Sequence, residues 1–120
     1  MPNSRDKGKR GELEACQLLD GLGFDCRRSV QYCGRAGDAD ITCDRFEVHI
    51  EVKRSERLNP YAYMDQALHD AKGRMPPLVL MRSSNRPWLA MLRAVDLPVF
   101  VERFTVARRI QTQHQQPEAL

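Results

Sequence analysis

The chain lacks any apolar run long enough to cross a bilayer, and its opening residues, Met-Pro-Asn-Ser-Arg-Asp-Lys, hold no apolar segment of a secretion signal. Together these absences argue against a spanning helix and an export leader, so a cytoplasmic protein is expected. No Cys-x-x-Cys pair occurs among Cys16, Cys26, Cys33 and Cys43. That spacing disfavours a zinc site built on Cys26 and Cys33, and without a secretion signal disulfides are not expected. Cys16 and Cys43 are instead expected to be small core residues. No internal repeat is present, and the net charge of +3 is too small by itself to name a partner.

What is there describes a folded protein. At 120 residues, 42% hydrophobic and 29% charged, the chain has the composition of one globular domain with a modest core. Leu13, Cys16, Leu19 and, less strictly, Leu22 form an apolar stripe at helical spacing, which predicts a helix over 4–22 stopped by Gly21 and Gly23. A first strand is expected over 24–30, then a turn-rich loop through Gly34 and Gly37. Asn59-Pro60 is a helix start, and Tyr61, Met64, Ala67, Leu68 and Ala71 give that helix its apolar side until Gly73. His69 is expected at its surface or boundary.

Leu78-Val79-Leu80-Met81 has the length and continuity of a buried strand, and residues 88–93 are expected to pair with it as a hairpin. Trp88 is expected in ordinary core packing. Asp96 is expected to cap a last helix over 97–110, before a polar, glutamine-rich tail. The predicted order is helix, three strands, helix, two strands, helix: an α/β fold with a central mixed sheet of about five strands. Residues 1–110 are expected to form the domain and 111–120 its tail.

The stretch from Gly37 to Lys53 carries the chemistry. It predicts two strands joined by a tight Asp44-Arg45 turn. Phe46, Val48, Ile50 and Val52 share one face of the second strand, with Glu47, His49, Glu51 and Lys53 opposite. In the first strand Asp38, Asp40 and Thr42 share a face. If the polar faces coincide, carboxylates gather beside a lysine. Buried charges persist only when paired or holding a metal, so the cluster suggests a metal-dependent active site.

Positive charge flanks this stretch. Arg5, Lys7, Lys9 and Arg10 stand near the start against Asp6, while Arg27, Arg28 and Arg35 precede the acidic strands. Arg103, Arg108 and Arg109 form a third group. A basic rim around a carboxylate centre suits an anionic polymer that must meet metal ions.

Lys7-Gly8-Lys9-Arg10-Gly11-Glu12 on the first helix, Asp40 on a strand and Glu51-Val52-Lys53 on the next resemble the PD-(D/E)XK nuclease superfamily. Within it, the chain is most similar to archaeal-type and phage Holliday junction resolvases. One departure is Ala39, which precedes Asp40 where the family name places proline.

The resemblance implies a restriction-endonuclease-like core and a Mg²⁺-dependent endodeoxyribonuclease in which Mn²⁺ substitutes. Asp40, Glu51, the Val52 carbonyl and Glu12 would bind metal, Asp38 being a reserve ligand, and Lys53 would complete the catalytic set with Glu12, Asp40 and Glu51. Lys7, Lys9, Arg10, Arg28, Ser29, Arg35 and Gln66 would contact DNA.

Four-way junctions are the expected substrate, in recombination or phage DNA processing within a bacterial or phage-infected cell. A homodimer and no small-molecule cofactor are also expected. A flap, nicking or restriction-type nuclease of the same fold, or a catalytically silent DNA-binding subunit, are the alternatives.

Overall fold

Small residues draw the first helix onto the sheet. The computed structural model describes residues 4–29 and 39–115, with side chains over 8–29 and 39–108. In α1 (Ser4–Gly21), Gly11, Ala15, Cys16 and Leu19 are buried, whereas Leu13 and Leu22 are exposed. The predicted stripe is therefore shifted. Its inner edge is set by Gly11, where an added Cβ would lie 3.3 Å from the Arg54 Cβ. The helix ends as the glycine pattern predicts. Gly23 adopts φ 101°, its N–H donates to the Asp20 carbonyl, and the Phe24 N–H reaches back to the Leu19 carbonyl. Leu19 and Phe24 are both buried there.

The sheet has five strands in sequence order: β1 (Cys26–Arg28), β2 (Ile41–Cys43), β3 (Phe46–Arg54), β4 (Pro77–Arg82) and β5 (Leu89–Met91). Pairing is antiparallel except between β3 and β4, which are parallel and joined through α2 (Pro60–Ala71). The first two strands are shorter than predicted, and Asp40 lies at a bend just before β2. Residues 30–38, including Arg35 and Asp38, lie outside the described residues. The Asp44-Arg45 turn is present, with Arg45 at φ 62°.

Alternation along β3 and β4 divides two hydrophobic layers. Phe46, Val48, Ile50, Leu78 and Leu80 pack with Ala15, Cys16 and Leu19 of α1 and with Phe100 and Ala107 of α3 (Leu97–Gln115). Phe24, Phe46 and Phe104 form an aromatic group within this layer. On the other face Val79 and Met81 meet Met64 and Ala67 of α2. Asn59 caps α2 by accepting from the Ala62 N–H, and Lys72 and Gly73 leave it with positive φ. Tyr61 is exposed, because the buried side of α2 runs through Met64, Ala67 and Ala71.

Trp88 packs at the edge of the first layer, as expected. Asp96 closes a short 3₁₀ turn (Ala94–Asp96) and pairs with Arg93 at 2.9 Å. The last helix continues to Gln115, beyond the predicted end at Ile110.

One expectation about cysteine is overturned. Cys26 of β1 stands directly opposite Cys43 of β2, and the two form a disulfide; Cys16 is free and buried. The pairing follows from cross-strand register, which cysteine spacing along the chain does not reveal. Among the described residues, no helix is long and apolar enough to cross a membrane.

Candidate active site

The site forms where β2 stops and β3 continues. The Asp40 N–H donates to the Ile50 carbonyl at 2.9 Å, extending the ladder by one bond. Its side chain then turns to the strand edge, where Oδ2 accepts from the Val52 N–H at 2.8 Å. In a strand, the N–H and C=O of one residue point to the same edge, so the Val52 carbonyl also opens toward Asp40. The register between β2 and β3 shifts between Ile41 and Cys43, placing Ile41 opposite Ile50 but Cys43 opposite Phe46. Irregular pairing of this kind re-aims side chains next to functional sites.

Carboxylates approach Asp40 from both sides of the sheet. Glu51 projects from the face covered by α2 and is 3% exposed. Glu12 comes from α1, on the Val52 face. Burial is the main cause that lifts the Asp40 pKa to about 7, with the Glu51 charge second. The Val52 N–H pulls it down, while a hydrogen bond with Glu51 and the charge of Glu12 raise it further. Asp40 is thus a carboxyl held among like charges, which a cation would relieve.

His49 is the residue that sequence reasoning passed over. Its Nε2 lies 2.7 Å from Glu51 Oε1, and the two residues are 6% and 3% exposed. Alternation placed both on one strand face, and the spacing i, i+2 was the available signal. That the fold buries them together is a tertiary fact.

Lys53 shares their face, but among the described residues its hydrogen bond goes to neither carboxylate. Nζ donates to Gln66 Oε1 at 2.7 Å and lies 5.7 Å from the Tyr63 ring centroid. Two predicted residues, Lys53 and Gln66, are therefore brought together across β3 and α2. Glu12 and Arg28 are likewise joined, with Arg28 Nε donating to Glu12 Oε2 at 2.7 Å. The Ser29 N–H donates to the Asp40 carbonyl at 3.0 Å, and its buried Oγ has no partner among the described residues.

Beside this group, Glu14 bridges Arg54 and Arg82, at 3.3 and 3.0 Å, fixing α1 to the ends of β3 and β4. Lys9 and Arg10 are exposed on α1; Lys7 lies on the same helix, its side chain outside the described residues.

No family model and no curated protein matches the chain. Its fold is similar to the solved structure of Hjc, a Holliday junction resolvase from the archaeal hyperthermophile Archaeoglobus fulgidus. The chain folds like Hjc. The two share 22% sequence identity at a TM-score of 0.55, over 71% of this chain and 76% of that one.

Within this Hjc-like fold, the donor set suits a particular kind of cation. Among the described residues, no three side chains of His, Cys, Asp or Glu converge as a metal-binding group. Two crowded carboxylates and an edge carbonyl do fit Mg²⁺, a hard ion that takes oxygen ligands and keeps several of its waters. A structural zinc site, closed by four cysteine and histidine ligands, is not what these oxygen donors make.

Proposed function

We propose that the chain is a metal-dependent endodeoxyribonuclease that cleaves four-way DNA junctions. The observation that carries this reading is Asp40, set between Glu51 and Glu12 with its carboxylate accepting from the Val52 N–H and its pKa raised to about 7. Asp40, Glu51 and the Val52 carbonyl would hold Mg²⁺ or Mn²⁺, and Glu12 would contribute from α1. When bound, the ion supplies polarisation of a phosphodiester oxygen and a lowered pKa for attacking water.

The chain's own groups do the rest. Val52 N–H fixes the Asp40 carboxylate at the edge. Lys53, steadied by Gln66, provides a positive charge for the developing phosphorane. Arg28 and Ser29, together with Lys7, Lys9, Arg10 and Arg35, would grip the DNA backbone, which positions substrate without reading its sequence. A four-way junction needs paired incisions, and a C2 homodimer supplies two sites related by symmetry. What supports this substrate class is the fold likeness to Hjc, itself a Holliday junction resolvase.

The test compares a synthetic junction, a flap and a linear duplex of matched sequence in Mg²⁺. Symmetric paired nicks on the junction are expected, and equal rates on all three substrates would reject junction selectivity. Asp40→Asn should abolish cleavage while DNA binding survives; retained cleavage would overturn the site assignment.

A further inference from the structure

His49 occupies a position that β3 could have filled with an apolar residue. It lies on the sheet face where Val79 and Met81 meet Met64 and Ala67, and a buried polar ring there is costly unless its hydrogen bonds are made. The backbone of His49 is fixed by its N–H donating to the Pro76 carbonyl at 2.9 Å. The side chain runs along the strand to Glu51, placing Nε2 2.7 Å from Oε1. An ionised carboxylate only accepts, so with Glu51 in its metal-binding form the proton of this bond sits on His49 Nε2. The bond engages Oε1, while the same carboxylate also meets the Asp40 side chain.

We propose that His49 is a positioning residue for Glu51, holding Oε1 so that Oε2 is presented to a divalent cation beside Asp40. This rests on the metal-dependent reading above. It assigns a purpose to a buried imidazole that neither the Glu-x-Lys pattern nor the basic rim involves. Partners that orient a metal-binding carboxylate matter to affinity almost as the ligands do.

Two substitutions separate this role from simple space-filling. His49→Gln sets an amide nitrogen where Nε2 stood, whereas His49→Asn carries the same group on a shorter stem that stops short of Glu51. Mg²⁺ and Mn²⁺ are titrated calorimetrically into the DNA-free protein, with circular dichroism confirming the fold of each variant. His49→Asn is expected to weaken binding by about 10- to 100-fold, and His49→Gln to restore most of it.

Wild-type affinity in His49→Asn, or equal weakening in both variants, would overturn the role. Should the Asn variant not fold, the Gln variant decides: weak binding in a folded His49→Gln protein also overturns it. A wild-type protein that takes up neither ion would sink the metal-dependent reading itself. Tight wild-type binding with an unaltered Asn variant would remove His49 alone.

Discussion

Arg28 Nε donates to Glu12 Oε2 at 2.7 Å, so a residue expected to grip DNA is bonded to one expected at the metal. The bond clasps β1 to α1 beside Asp40. Glu12→Gln should lower the cleavage rate by about 10-fold or more, since an anionic oxygen that would help hold the ion is lost. DNA affinity should hold or rise, because Arg28 is released toward phosphate. Arg28→Ala should weaken binding across all sequences and reduce the salt slope by about 1. Fluorescence anisotropy at several salt concentrations measures both. The pair is partly exposed, so neither change should cost more than about 1 kcal/mol of stability.

Lys53 is held by Gln66 and stacked near Tyr63. Lys53→Ala should lower the single-turnover cleavage rate by roughly 100-fold, the scale for losing one charge at a transition state. Mg²⁺ affinity should be unchanged. Gln66→Ala should produce a smaller rate loss of the same kind, since the lysine stays but loses its anchor. A Gln66→Ala loss confined to DNA affinity would instead mark Gln66 as a substrate contact.

The raised Asp40 pKa predicts how the metal-free protein responds to pH. The folded state holds the Asp40 proton more tightly than the unfolded chain, whose value is near 3.8, against about 7 when folded. Stability from this group is therefore fully present below about pH 4 and is lost as pH rises to about 7. Asp40→Asn should remove that dependence and leave a metal-free protein more stable than wild type at pH 8. Mg²⁺ requires the deprotonated carboxylate, so it should raise the wild-type thermal midpoint more at pH 8 than at pH 5.5. Thermal scans in chelator and in Mg²⁺ across this range provide the test.

The Cys26–Cys43 disulfide closes a sequence separation of 17 residues. In the chain-entropy account, a loop of that size contributes about 3 kcal/mol. Cys43→Ser should lower denaturant-measured stability by an amount of that order. A thiol reductant should do the same to wild type and leave the variant unmoved.

The sequence was most informative where the physics is local. Alternation put Glu51 and Lys53 on one face of β3, and Asn59-Pro60 with Gly73 bounded α2 closely. Longer-range facts escaped it. Leu13 outweighed Gly11 and Ala15 on hydropathy, yet the contact with β3 required small residues, because α1 approaches the sheet too closely for bulk at Gly11. Cys26 and Cys43 look unrelated along the chain and meet only through antiparallel register. The partners of Lys53 and Glu12 were each named as functional residues, but their bonds to one another depend on how α2 and α1 settle on the sheet.

The short turn at Asp44-Arg45 acts as a spacing gauge for the whole centre. Together with the shifted pairing between Ile41 and Cys43, it sets how far β2 runs back along β3, and hence whether the Asp40 carboxylate arrives at the Val52 N–H. A single residue inserted there would slip the register and send neighbouring side chains to opposite faces. Every acidic residue and the lysine would still be present in such a variant. A homologue can therefore retain the complete motif and lack the centre, and turn length deserves the same scrutiny as the motif itself.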